Sequence, residues 1–406
     1  LSAGWSVAAK GDLMDFTLTD EHRALQQMAR DFAEKEIRPI SAERDLIPEP
    51  RETFDWEIIK KGSALGLRTL AVPERFGGPG VDRLGQVLVI LELARVDGAI
   101  SKTFSQNWKF TPFLTELAND EQRERFLTPF LENDTFMLAS AGTEPDAGSD
   151  NRMPPDDPKA GYRTSGVRDG DDWVINGMKH FIANGGVASL YFTLVRTDFS
   201  VPVNRGTTML MVPSNTPGFR IGRTHNKIGW RFYQNAELIY EDCRVPDANR
   251  LLEINEGRGN KRMGIASFND EELSANALGI AQAAFEHALE HARNRVQGGK
   301  PIIEHQAIAI KLADMYMRLE AGRSYLYQVV ANENGSGGDF EGASKQLLKT
   351  FATEVVQSVT KNAVEIFGGM GVMRDAPVEK LMRDASIFTH LAGDSVQMLK
   401  AAKKLG

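Results

Sequence analysis

The stretch Asp172-Trp173-Val174-Ile175-Asn176-Gly177-Met178-Lys179-His180-Phe181-Ile182-Ala183-Asn184-Gly185 interrupts a chain that reads as helical on either side of it. Trp173, Val174 and Ile175 favour extended backbone, and Asn176-Gly177 is a dipeptide that favours a tight hairpin. Leu190–Val195, Thr208–Val212 and Glu237–Tyr240 repeat the pattern of short β-rich runs parted by turn residues. The interval 137–250 therefore reads as a small antiparallel sandwich or barrel.

The flanks have a different period. Over residues 14–136, Thr19 stands as an N-cap before Asp20-Glu21, and Leu25, Met28, Ala29 and Phe32 recur at helical spacing. Further helices are expected over Gln86–Val96 and Asp120–Leu131, with a Gly- and Pro-rich loop over Val72–Gly80. Over residues 251–406, Ala275–Arg295, Gln306–Asn332 and Gly342–Phe367 are long amphipathic candidates, and a last helix ends near Leu405. The fold class is α+β, in the order helical, β, helical. Met14-Asp15-Phe16 reads as a natural start, which makes residues 1–13 a tag or extension.

Composition narrows the function classes. A chain of 406 residues, 42% hydrophobic and 25% charged, is an ordinary soluble protein with room for two or three domains. Its net charge of −7 and lack of a basic block argue against nucleic acid as partner. No apolar run reaches the roughly 18 residues of a membrane span. The single cysteine, Cys243, cannot form an internal disulfide, and a reducing, cytoplasmic setting is expected. No metal site is expected, because the seven histidines show no ligand spacing with acids; His287 and His291 lack the accompanying motif. Gly368-Gly369-Met370-Gly371 follows a helical run, so it is no dinucleotide fingerprint.

Two clusters suit a phosphorylated heterocycle. Thr143, Gly148 and Ser149 offer hydroxyls and close backbone N–H groups in a turn; the other reading is an ordinary capped turn. Arg295, with Gln297 and Gly298-Gly299 after it, can grip a pyrophosphate in a forked manner or end a helix in solvent. These clusters belong to five ordered blocks: Ala141–Asp150, Asn176–Gly185, Lys227–Arg231 running to Val245-Pro246, Arg295–Gln306, and Glu365–Gly371 running to Met382–Ala385. Together they resemble the acyl-CoA dehydrogenase family over nearly the whole chain. The resemblance implies an N-terminal helical domain, a middle antiparallel β domain and a C-terminal four-helix bundle. It implies FAD at the junction of the last two, an acyl-CoA substrate, an electron-transfer flavoprotein as partner, and a homo-oligomer, usually a tetramer.

The resemblance also assigns residues. Thr143 faces the pyrimidine side of FAD, and Ser149 lies near flavin and pantetheine. Phe181 stands where a Trp often flanks the ring, and Ala183 where a Thr bonds the reactive nitrogen. Arg295 and Gln297 go to the diphosphate, joined by Gly368 and Gly369 of a neighbouring subunit. Gly298 replaces an aromatic residue, and Asp394 a hydroxyl residue that contacts FAD.

The largest departure is Ala392, which stands where the family usually keeps its catalytic glutamate; its backbone N–H, beside Gly393 in the substrate site, still suits the thioester oxygen. An alternative base position aligns with Asn269, which cannot accept a proton usefully. Asp270, Glu272 and Asp394 are the candidate bases; the other readings are macrodipole acids for the first two and a helix cap for Asp394. Lys102 falls on the helix that lines the family's acyl cavity and is read either as a ligand for a polar or acidic tail or as a solvent-facing lysine. The expected function is FAD-dependent oxidation of a non-standard acyl-CoA, polar, acidic or cyclic. The alternatives are an inactive FAD- and CoA-binding subunit paired with an active paralogue, or a flavin enzyme running elimination or monooxygenation.

Overall fold

The computed structural model describes residues 18–153, 155–257, 268–331, 341–391 and 393–405. The extension read at residues 1–13 and the alanine at position 392 lie outside them. Thr19 caps α1 (Asp20–Phe32) as expected, its hydroxyl accepting from His22 N–H at 3.1 Å. The N-terminal block continues through α2 (Arg38–Leu46), α3 (Trp56–Ala64), α4 (Arg83–Val96) and α5 (Gly98–Pro112). Asp97 parts α4 from α5 by accepting from the N–H groups of Ala99 and Ile100. The helix expected over 120–131 is broken by a π-helical turn into α6 (Asp120–Gln122) and α7 (Thr128–Glu132).

The middle block holds β1 (Leu138–Ala141), the short α8 (Ser149–Arg152), and β2 (Ser165–Asp169), β3 (Asp172–Ala183), β4 (Leu190–Arg196), β5 (Thr207–Pro213), β6 (Phe219–Thr224), β7 (Asn235–Pro246) and β8 (Arg250–Leu251). The strand order is β6-β7-β3-β2-β4-β5-β8. Most pairings are antiparallel, but β1 runs parallel to β4, so the sheet is mixed. The hairpin expected at Asn176-Gly177 is not there. The turn between β2 and β3 falls at Gly170-Asp171, and β3 runs straight through Asn176-Gly177 with a bulge against β7. Gly177 has φ +141°, and a Cβ on it would lie 2.7 Å from Thr164 Cα, so this glycine answers a close approach within the sheet.

The C-terminal block comprises α9 (Asp270–Asn294), a two-stranded ribbon β9 (Val296–Gln297) and β10 (Lys300–Pro301), α10 (Gln306–Ala331), α11 (Glu341–Phe367), α12 (Pro377–Ser386) and α13 (Asp394–Leu405). α11 packs on α9, α10 and α13, which makes the bundle. α9 also packs on α4 of the N-terminal block, where a Cβ on Gly279 would sit 2.7 Å from Ala94 Cβ. One hydrophobic core runs through all three blocks, from Ile90 and Leu93 to Leu278, Val355 and Tyr240; each buried aliphatic side chain of this kind is worth about 1.5–3 kcal/mol. Among the described residues no helix is long and apolar enough to cross a membrane.

The Arg383-Asp384 pair joins the blocks. Arg383 reaches Asp45 at 2.6 Å and Glu379 at 2.7 Å, and Asp384 accepts from Trp230 N–H at 2.6 Å. These residues of the fifth sequence block are a structural clamp holding the loop 225–235 against α12.

Candidate active site

On the sheet side, the Thr143 carbonyl accepts from His180 N–H at 2.7 Å, which sets Thr143 beside Phe181. Phe181 is 58% exposed and has φ +57°, a conformation that costs a bulky residue energy. Its carbonyl is held by Asn235 Nδ2 at 3.0 Å. Thr143 and Ser149 are exposed, Ala183 is half-buried, and a Cβ on Gly148 would meet nothing within 4 Å. An exposed aromatic face, two free-standing hydroxyl residues and an open glycine turn thus share one end of β1 and β3. Beneath them Lys179 is fully buried, donating to Glu144 at 2.8 Å and to the Gly142 carbonyl at 3.3 Å. Burial raises the Glu144 carboxyl, but the Lys179 ammonium and bonds from Arg163 N–H and Thr164 N–H override it and hold it below the usual carboxylate value.

Arg295 and Gln297 are exposed at the end of α9, where Gly298 and Gly299 turn the ribbon and His305 bonds the Gln297 carbonyl at 2.9 Å. His291 stacks on Phe367 with ring centroids 4.1 Å apart, so the end of α9 adjoins the end of α11, where Gly368 and Gly369 are exposed. These four residues therefore converge on one end of the bundle within a single chain.

The third cluster lies between α5 and α9. Lys102, Ser105 and Lys109 share a face of α5, and Asn269, Glu272 and Asn276 a face at the start of α9. Lys102 Nζ lies 2.5 Å from both Glu272 oxygens, and Ser105 Oγ donates to the same carboxylate. The side chains of Lys102 and Glu272 are 3% and 0% exposed, which excludes the solvent-facing reading of Lys102. Burial lowers the Lys102 ammonium, and Glu272 opposes that shift. Lys109 donates to Asn269 at 2.5 Å. Tyr233 closes the cluster with Lys102 Nζ 6.0 Å from its ring centre; burial, with Glu272 nearby, raises its phenol well above the usual value.

The other candidate acids are also engaged. Asp270 accepts from Gln397 Nε2 of α13 at 2.6 Å and from Asn269 Nδ2 at 3.1 Å. Asp394 is ion-paired with Lys349, which also donates to the Phe388 carbonyl at 2.8 Å. Gly393 is half-buried at the head of α13, and His390 is exposed. Cys243 lies within β7, and burial pushes its thiol up to about 11, which leaves it unreactive at neutral pH.

Tyr233, Lys227 and the Glu144–Lys179 pair escaped the sequence reading. Lys227 donates to Asn235 Oδ1 at 2.6 Å and to the Tyr233 carbonyl, and desolvation brings its ammonium down to about 7. Nothing in a linear chain pairs residues 35 positions apart, as Glu144 and Lys179 are.

Comparison with known proteins covers nearly all of the chain. Residues 19–134 match the acyl-CoA dehydrogenase N-terminal domain, residues 139–243 the middle domain and residues 265–405 the C-terminal domain. An acyl-CoA dehydrogenase of Bacillus subtilis is 36% identical over 96% of this chain and 98% of its own length. A short-chain-specific acyl-CoA dehydrogenase of Megasphaera elsdenii is 36% identical over 95% of this chain and 98% of its own. The solved butyryl-CoA dehydrogenase of Megasphaera elsdenii superposes with a TM-score of 0.87 at 34% identity, covering 96% of this chain and 99% of the other.

Proposed function

The chain belongs to the acyl-CoA dehydrogenase family of flavoprotein oxidoreductases, and from that premise we propose that it binds FAD and oxidises a polar, non-fatty acyl thioester without the usual glutamate base. The exposed Phe181, the hydroxyls of Thr143 and Ser149 and the open turn at Gly148 fit the edge and face of a flavin. Ala183 flanks the same face. Arg295, Gln297, Gly368 and Gly369, which share one end of one chain's bundle, would hold the diphosphate end as a single set supplied by a neighbouring subunit in a homotetramer, with Asp394 as a further cofactor contact. When bound, FAD supplies the acceptor for a hydride from the β-carbon of the acyl group. Ser149 and Gly393 line the thioester, and the backbone N–H of Ala392 polarises its carbonyl.

The α-proton then needs a carboxylate other than one at position 392. Taking a proton on Glu272 or Asp394 would dissolve an ion pair to Lys102 or Lys349. Asp270 accepts from the amide groups of Gln397 and Asn269 and so bridges α9 to α13. Asp270, Glu272 and Asp394 are the three candidate bases. The observation that carries the substrate class is the buried Lys102–Glu272 pair. An aliphatic tail between α5 and α9 would face two charges and Ser105, whereas a polar group, on an open chain or a ring, can hydrogen-bond there. Because Glu272 already neutralises Lys102, the acidic tail loses its support. Electrons leave to an electron-transfer flavoprotein.

An anaerobic panel of CoA thioesters tests this. A polar or cyclic acyl-CoA is expected to bleach the flavin while butyryl- and octanoyl-CoA do not, and of Asp270→Asn, Glu272→Gln and Asp394→Asn the variant that removes the base is expected to slow bleaching about 10²–10⁴-fold. No bleaching by any thioester overturns the reading. The absent glutamate favours one rival, a non-catalytic subunit; a stoichiometric second chain on native purification would establish it.

A further inference from the structure

The fold assembles a second constellation that no linear spacing reveals. His180 on β3, His225 just beyond β6 and Glu237 on β7 bring one ligand atom each to within 4.8 Å of one another. We propose that His180, His225 and Glu237 form a binding site for a first-row divalent cation, Zn²⁺ being the best match. Two imidazoles and a carboxylate are a common three-ligand zinc set, with a fourth position left to water. Zn–N and Zn–O distances of about 2.0–2.2 Å put tetrahedral ligand atoms about 3.4 Å apart. His180 Nε2 and Glu237 Oε1 are already 3.4 Å apart, and with all three ligand atoms within 4.8 Å the cation requires a closure of the remaining ligand of at most about 1.4 Å.

A further observation points to a ligand. His225 Nε2 is shut off from solvent and has no hydrogen-bond partner among the described residues, although a buried polar atom normally finds one. The site is also built rather than accidental. Each ligand's backbone is pinned: His180 N–H to the Thr143 carbonyl at 2.7 Å, His225 N–H to the Asn235 carbonyl at 2.8 Å, and Glu237 within β7. Arg223 N–H donates to Glu237 Oε2 at 3.2 Å, orienting the carboxylate and leaving Oε1 for the cation. The Phe181 ring packs on both imidazoles, with centroids 4.0 Å from His180 and 4.7 Å from His225, and shields one side of the cluster. The cation would tie β3, β6 and β7 together at the edge of the sheet and fix the ring of Phe181.

Calorimetric titration of Zn²⁺ into chelator-treated, tag-free holoprotein tests the site. One Zn²⁺ per chain is expected, with affinity falling tenfold or more in His225→Asn and in Glu237→Gln. X-ray absorption at the zinc edge is expected to show nitrogen and oxygen neighbours with imidazole signatures and no sulfur. Absence of stoichiometric binding, an affinity in both variants equal to the parent's, or a sulfur ligand overturns the proposal. The readout is metal binding, so it fails or succeeds independently of the thioester assay.

Discussion

Lys102 was readable as a helix residue near an acyl cavity, but its partner was not. Lys102 and Glu272 are 170 positions apart, and only packing of α5 on α9 makes them a buried ion pair. Such a pair adds little net stability, yet removing one member strands the other charge in the interior. Lys102→Met is therefore expected to destabilise the protein by about 3–5 kcal/mol in urea unfolding. Lys102→Met/Glu272→Met is expected to recover most of that loss, because two apolar groups of similar volume replace two desolvated charges. A double variant no more stable than the single one would show that Glu272 does not depend on Lys102.

At the scale of elements, long helices were easy to place because apolar residues recur along each of them without reference to anything distant. α9, α10 and α11 lie close to the expected spans. The hairpin was misplaced because Asn176-Gly177 has strong local turn chemistry that sheet pairing overrides. Asn176 Oδ1 accepts from Asp242 N–H at 2.8 Å, and Gly177 makes room for the Thr164 backbone. Gly177→Ala is therefore expected to cost at least about 1–3 kcal/mol, read as a lower urea midpoint at unchanged slope. An alanine variant as stable as the parent would mean that β3 does not run through this position as described. The π-helical turn that splits 120–132 had no local signature, since it shifts hydrogen-bond partners without changing residue type.

Across the whole molecule, apolar side chains remain uncovered on the bundle: Ile310 and Met317 on α10 are 69% and 60% exposed, and Met370 and Val372 after α11 are similarly open. Exposed apolar groups on adjoining elements mark interaction surfaces, and a homotetramer would cover them. Sedimentation equilibrium is expected to give a tetramer, and Ile310→Glu/Met317→Glu a smaller species with retained helical circular dichroism. A monomeric parent chain would leave that surface, and the cofactor residues assigned to a neighbouring subunit, without a partner. The chain by itself determined the helical–β–helical order and the family, because periodicity, turn chemistry and ordered blocks are written locally along the backbone. Only the tertiary structure decided that Lys102 is ion-paired, that Asp270 bridges to α13, that Arg383 and Asp384 clamp the domains, and that two histidines and a glutamate meet beside Phe181. Those are encounters between distant residues, and burial in a low-dielectric interior gives them their chemistry.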